Sequence, residues 1–393
     1  MAALAATSAF AQSSVSISGN ADVAYATKEA IGATGTSFLK TTGIGDGAMV
    51  PNRIILTVKE DLGGGMTASF VNEHGVSPTA TTDWSSRTAN GAPALNGTST
   101  AANAAGNVLP GAGALSTGTN RGTYVGLAGK FGEVRAGYLV NDSYNLSSQS
   151  GYLLGMEQYG GLAHTAGQAE TGGARGNGVQ YISPVVNGFK ASIQMGSGDQ
   201  RELTESSAVN NGYTKNKESR TGLRVDYASG PLNVAYARTN FTNLKEGASG
   251  NVTTIYGATA AAANKDQKNT LDQLVGAYTF GAFKAIATYN KATVDDATNT
   301  SDRDIKSKTY GLQYTTGPWT VYGMGGTETR VKVSDGSTQN DIKQKQFAVK
   351  YAFSKRTTGY LMTGESKDTG AAMTAADHIA KGKVTALGLA HAF

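Results

Sequence analysis

The run Val384 to Phe393 (VTALGLAHAF) sets Leu387, Leu389, His391 and Phe393 on one face of an extended strand and only Ala386, Gly388, Ala390 and Ala392 on the other. In a barrel that crosses a membrane the lipid face is apolar and the lumen face need not be. Hydrophobicity then repeats with period two, and no segment is apolar throughout. The first and last strands must pair, because an open edge in hydrocarbon leaves backbone groups unpaired at several kcal/mol each. A closing aromatic strand is therefore expected of an outer-membrane barrel.

Composition agrees with this reading. The hydrophobic fraction is 39%, with 52 Gly, 18 Tyr, 7 Pro and no Cys, which argues against two or three conventionally packed soluble domains. No apolar run is long enough for a transmembrane helix, whereas Tyr-rich alternation suits an interfacial aromatic girdle. Absence of Cys fits passage through an oxidising periplasm. A net charge of +5 on 16% charged residues is too dilute for a nucleic-acid footprint, so no nucleic-acid partner is expected. Lining a pore, positive charge favours anions.

Met1 to Ala11 (MAALAATSAFA) is small and apolar and ends in the A-x-A form of a signal-peptidase site. Residues 1–11 are read as a signal-peptide remnant, with Gln12 opening a single barrel over residues 12–393. No Lys or Arg precedes the apolar stretch, which suits an internal Met of a longer precursor.

Alternating segments recur, joined in turn by tight Gly-rich links and long polar ones, the layout of short periplasmic turns and long external loops. Predicted strands are Ser14–Thr27, Asn52–Lys59, Met66–Glu73, Gly122–Ala128, Glu133–Val140, Asn177–Ser183, Phe189–Gly196 and Thr221–Ala228. They continue with Asn233–Thr239, Leu271–Phe280, Phe283–Asn290, Thr309–Thr315, Thr320–Thr329, Phe347–Phe353, Thr358–Gly364 and Val384–Phe393. The count is sixteen. Residues between Thr27 and Val50 read as a loop, and so do those from His74 to Asn120. Proline avoids strand interiors because it cannot donate to a ladder. Pro184, Pro231 and Pro318 fall in tight turns, and Pro51, Pro78, Pro93 and Pro110 in or beside external loops.

Parity divides lipid-facing from lumen-facing side chains. Ile54, Leu56 and Val58 turn Arg53, Thr57 and Lys59 inward. Val134 and Ala136 do the same for Arg135, as do Leu223, Val225 and Tyr227 for Arg224 and Asp226. The row Phe347, Val349, Tyr351 and Phe353 leaves Gln346, Ala348 and Lys350 for the lumen. A charge at the midplane of the lipid face costs about 2–4 kcal/mol, which gives these assignments force.

The strings EDLGGG (Glu60–Gly65), RGTYVGLAGKFGEVRAGY (Arg121–Tyr138), VQYISPVVNGFKAS (Val179–Ser192), YAFSKRTTGY (Tyr351–Tyr360) and the closing HAF stand in this order along the chain. Together they resemble the general porins of Gram-negative beta-proteobacteria, trimeric barrels of sixteen strands. The resemblance implies a water-filled pore, a third external loop folded inward as a constriction, basic residues on the facing wall and a preference for anions. Residues 141–174 would be that loop. Arg53 matches the family Arg after the first loop, Arg121 the Arg that opens the YVGL strand and Arg135 the basic position after FGEV. Tyr138 and Gln180 replace residues that are basic in many relatives, and Arg175 stands one place from the family Arg. The arginine ladder is thereby shortened, and the anion preference expected is mild.

A constriction works by opposing fields, with acids on the inserted loop facing bases on the wall. Glu157 and Glu170 are the loop acids. Arg53, Lys59, Arg135 and Arg224 are the wall bases by parity, unless some of them solvate the lumen above or below the narrowest point. Strict alternation would align Arg121 with Val125 and Leu127, which puts it at the strand mouth; Arg175 completes the candidate set. The acidic loop Asp295, Asp296, Asp302 and Asp304 either bridges divalent cations to lipopolysaccharide or is simply solvated, and it lacks the spacing of a calcium loop. Gly63 to Gly65 is a turn, since no G-K-S/T follows.

The four histidines are His74, His164, His378 and His391, and no string pairs one with a nucleophile or a metal. No catalytic residue, cofactor or metal is expected. The reading is an all-β, sixteen-stranded antiparallel outer-membrane barrel passing small hydrophilic solutes and inorganic ions, in contact with outer-membrane lipid and lipopolysaccharide, as a homotrimer by resemblance. Alternatives are a substrate-selective channel, marked by a basic or aromatic ladder along the lumen, and a barrel hydrolase, marked by a histidine buried beside Ser and an acid.

Overall fold

The structure, a computed structural model, describes residues 13–32, 35, 37–46, 49–76, 78, 120–146, 175–202, 215–246, 251–253, 259–261, 267–295, 302–370 and 379–393. Their strands in chain order are β1 (Ser13–Gly32), β2 (Ser37–Asp46), β3 (Arg53–Gly63), β4 (Met66–Gly75), β5 (Asn120–Gly129), β6 (Gly132–Val140) and β7 (Arg175–Ile182). Next come β8 (Phe189–Glu202), β9 (Lys215–Ser229), β10 (Leu232–Glu246) and the short pair β11 (Asn251–Thr253) and β12 (Thr259–Ala261). The last are β13 (Gln267–Phe280), β14 (Phe283–Val294), β15 (Arg303–Thr316), β16 (Trp319–Lys332), β17 (Thr338–Ala352), β18 (Thr357–Asp368) and β19 (Ile379–Ala392).

Seventeen strands join in one antiparallel sheet, and β1 pairs with β19, so the sheet closes on itself. The long β1 pairs through its first half with β3 and through its second half with β2. β2 and β3 therefore share one position on the circumference, and the barrel has sixteen. β11 and β12 form a separate hairpin. The closing seam is tight: Gly19 N–H donates to the Phe393 carbonyl at 3.0 Å, and Phe393 N–H returns the bond at 3.1 Å. A Cβ on Gly19 would lie 2.6 Å from the Phe393 ring, so only glycine admits that ring over β1.

Short turns join the strands at one end, and several are of two residues. Gly230, Gly281 and Gly317 each take φ between 53° and 57° at the first turn position, and proline follows in two of the three. Positive φ first and negative φ second is the turn whose twist matches antiparallel strands.

Side-chain parity follows the sequence reading. Val125, Val179, Ile193, Leu223, Phe347, Leu361, Leu387 and Leu389 are exposed on the outer face, while Gln180, Gln194, Arg224, Gln346 and Ala386 are buried inside. Aromatic rings girdle the tight-turn end: Phe280 stacks on Phe283 at 5.5 Å, Phe283 meets Tyr314 at 4.8 Å, and Trp319 meets Tyr351 at 4.7 Å.

Two expectations are corrected. The stretch from Thr27 to Val50 is not one loop, because β1 runs on to Gly32 and β2 returns beside it. Strands β9, β10 and β13 to β19 also run to between 12 and 15 residues, several longer than their apolar alternation. Alternation ends where lipid ends, whereas backbone pairing continues into water with Lys and Thr on the outer face. Residues 1–11, Pro93 and Pro110 lie outside the described residues.

Candidate functional site

After β6 the chain turns into the barrel. Asn141, Asp142 and Ser143 are nearly fully buried, a short helix spans residues 142–146, and Leu146 packs in the inner apolar cluster. Three neighbouring strands hold this loop root. Asp142 accepts from Gln180 Nε2 on β7 at 2.8 Å and from Ser192 Oγ on β8 at 3.0 Å, and Asn141 Oδ1 accepts from Arg220 on β9 at 2.6 Å. Gln194 on β8 fastens the backbone, accepting from Asp142 N–H at 3.3 Å and donating to the Val140 carbonyl at 3.2 Å. Burial is the largest influence on Asp142 and pushes its carboxyl above the ordinary range, against the lowering effects of Ser192, Arg224 and Gln180.

Beside this root lies an arginine cluster. Glu73 on β4 receives Arg53 of β3 at 3.2 Å and Arg121 of β5 at 2.8 Å. Arg175, at the start of β7, donates to the Arg121 carbonyl and lies over the Tyr144 ring of the loop root at 5.0 Å. Further along the wall Arg135 pairs with Glu133 at 2.7 Å and covers the Tyr124 ring at 4.9 Å. Arg224, 7% exposed, pairs with Asp226 and acts electrostatically on Asp142, as does Arg135 on the same carboxylate.

The structure thus brings together Arg53, Arg121 and Arg175, and sets Arg135 and Arg224 around Asp142. Arg121 stands second in β5, at the strand mouth, but its side chain does not point outward as strict alternation would have it. Register slips between Glu73 and His74, which face Gly122 and Asn120, and Arg121 is the extra residue of that bulge. A bulge re-aims one side chain, and here it turns an outward-parity residue in to Glu73. Lys59 is not part of the cluster, being exposed beside the β3–β4 turn and paired in register with Ser69. Glu157, Glu170, His164, His378 and Asp296 lie outside the described residues. His391 faces outward and shares a hydrogen bond with Thr357 Oγ1 at 2.9 Å.

Sequence reasoning missed a second anchor. Asp22, buried on β1, accepts from Met49 N–H at 2.7 Å, Val50 N–H at 2.9 Å and the Tyr360 hydroxyl of β18 at 2.8 Å. Asn52 donates back to the Asp22 carbonyl at 3.1 Å, so the break between β2 and β3 is pinned to the inner wall. A carboxylate amid Ala and Asn gave the sequence one signal, its inward parity, and nothing about its partners.

A closed barrel of sixteen positions, a buried loop root after β6 and basic wall residues beside it characterise the chain, and a family model matches residues 1–371 under the description Gram-negative porin. The chain belongs to the Gram-negative porins. Among solved structures the porin is similar to the anion-selective porin of Comamonas acidovorans, at 20% identity and a TM-score of 0.66 over 97% of this chain and 100% of that one. It is also similar to the trimer form of OmpT from Vibrio cholerae (14%, 0.63, 97% and 99%) and to Salmonella typhi OmpF in complex with daunomycin (13%, 0.58, 96% and 97%). At these identities the likeness carries the fold. No curated protein sequence matches the porin closely enough to add to this. Family and fold place it in the outer membrane as a diffusion channel.

Proposed function

We propose that this porin passes small hydrophilic solutes and inorganic ions by passive diffusion, with a mild preference for anions, and that it works as a homotrimer. The observation that carries the preference is the convergence of Arg53, Arg121 and Arg175 beside the root of the inward loop, with Arg135 and Arg224 on the adjoining wall. In that assignment the five arginines form the basic wall of the constriction, Glu157 and Glu170 are the opposing acids of the loop, and Lys59 lines the lower vestibule. The anion-selective Comamonas porin and the trimeric OmpT lend support by likeness of fold.

No conformational cycle is needed. The radius left by the loop rejects large solutes, and the lumen potential weights the entry of small charged ones. The test is the reversal potential of single channels in a potassium chloride gradient. Anion-selective sign is the expected result, and a cation-selective sign would overturn the assignment.

A further inference from the structure

The basic residues around the loop root are arginines, whereas those that face the lumen at the tight-turn end, the periplasmic mouth, are lysines. Strand ends fix their depth. Lys190 and Lys284 are second in β8 and β14, directly after the outward rings of Phe189 and Phe283, and Lys350 directly precedes Tyr351 near the end of β17. Lys59 stands beside the β3–β4 turn. Parity turns all four inward, since Lys190 shares the face of the buried Ser192 and Gln194, Lys284 that of Ile286, Lys350 that of Gln346 and Ala348, and Lys59 that of Arg53.

Counted round the wall from β1, with β2 and β3 sharing the second position, β3 is second, β8 seventh, β14 eleventh and β17 fourteenth. The four lysines thus stand five, four, three and four strands apart, and they form a ring. Strands spaced about 4.8 Å and tilted about 40° enclose roughly 32 Å from backbone to backbone, which leaves each ammonium about 10 Å from the axis. The lumen-facing acids of this level are engaged. Glu133 is bonded to Arg135 and Asp226 to Arg224, and Asp61 accepts from Gly63 N–H inside its turn at 2.9 Å. Among the described residues Lys59, Lys190 and Lys284 have no ion pair, and Lys284 is the charge that acts on Lys350.

A ring this wide is too open to grip a small ion; what it sets is a potential over the mouth. Lys59, Lys190 and Lys284 alone would enrich a monovalent anion roughly fivefold at 10 mM salt and about twofold at 0.15 M, because their fields fade over about 30 Å and about 8 Å. We propose that Lys59, Lys190, Lys284 and Lys350 form a second anion filter at the periplasmic mouth, separate from the arginines beside the loop root. Selectivity then depends on the salt that bathes this mouth. The inference rests on the chain being a diffusion channel and not on the sign of the constriction.

The experiment records single channels of the full chain in neutral phosphatidylcholine, with 10 mM potassium chloride facing 100 mM, and then with the gradient reversed across the same channel. Expected is a chloride-to-potassium permeability ratio about threefold higher in one direction, the one in which the dilute solution bathes the ring and screens it least. Raising both solutions to about 1 M should erase the difference, since fields then fade over about 3 Å. The triple variant Lys59→Gln, Lys190→Gln and Lys284→Gln should give the lower ratio in both directions, and the corresponding triple replacement by Arg should keep the difference. Equal ratios in the unaltered chain, or a difference that survives in the Gln variant, overturn the proposal. A cation-selective constriction would lower both ratios together and leave their difference, so the failure of that assignment is read separately.

Discussion

The Tyr360 hydroxyl donates to Asp22 at 2.8 Å by crossing an entire strand, passing over β19 at Gly388, where a Cβ would lie 2.2 Å from the Tyr360 ring. Tyr360 belongs to β18 and Asp22 to β1, so the bond ties the end of the chain to its beginning on the inner face, while Gly19 and Phe393 tie them through the backbone. The barrel seam is held twice.

That arrangement predicts different losses from two substitutions. Tyr360→Phe removes one donor from a buried carboxylate that keeps two backbone donors, and should lower stability by about 1.5–3 kcal/mol, the usual range for a bond to a charged group. Gly388→Val forces the ring aside and should cost at least as much. Thermal or urea unfolding followed by circular dichroism measures both; a Gly388→Val chain as stable as the original would contradict the crossing.

Neutralising Arg53 and Arg135 should move the reversal potential toward cations. A unit charge about 5 Å from a permeating ion in water is worth just under 1 kcal/mol before screening, so each change should alter the permeability ratio about twofold. An unmoved reversal potential in the double Gln variant would remove both residues from the constriction.

Lys59 provides the contrast. It stands exposed beside the Glu60–Gly65 turn, six positions along β3 from Arg53. Lys59→Gln should leave the reversal potential within error of the unaltered channel at 0.15 M salt, where fields fade over about 8 Å. A shift as large as that from Arg53 would relocate the narrowest point toward the periplasm.

The buried Asp142 is expected to make the channel respond to pH. Its carboxyl is pushed up by burial, so it gains a proton at higher pH than a surface carboxylate, and the lumen loses a negative charge as pH falls. Anion preference should therefore increase on mild acidification, and Asp142→Asn should show the increased preference at every pH without that step. For stability the sign follows from the raised folded value. The contribution is complete below the unfolded value and is lost as pH rises through the folded one, so the unaltered chain should gain stability on acidification through that window and the Asn variant should not. Titration of selectivity and of urea midpoints between pH 4 and 8 reads both; identical profiles for the two chains would exclude Asp142 as the titrating group.

Period-two alternation was enough to assign the wall. Phe347, Leu387 and Val134 outward and Gln346, Arg135 and Arg224 inward were legible from the sequence because in a barrel the environment of a residue is fixed by parity alone. Turn ends were legible for a similarly local reason, since glycine admits the positive φ that a tight turn needs and proline fixes φ and removes a donor. What parity could not reach was anything set across the lumen or by a break in the ladder. Arg121 points inward through a one-residue bulge, which reverses parity without leaving a mark in composition. β2 was hidden because pairing in water needs no apolar face. The bonds from Tyr360 to Asp22 and from Gln180 and Ser192 to Asp142 join residues that only the closure of the barrel brings within 3 Å of one another. Sequence determined which side each strand shows to the lipid; closure decided which inward groups meet, because lumen contacts depend on curvature and stagger, and these belong to the whole sheet.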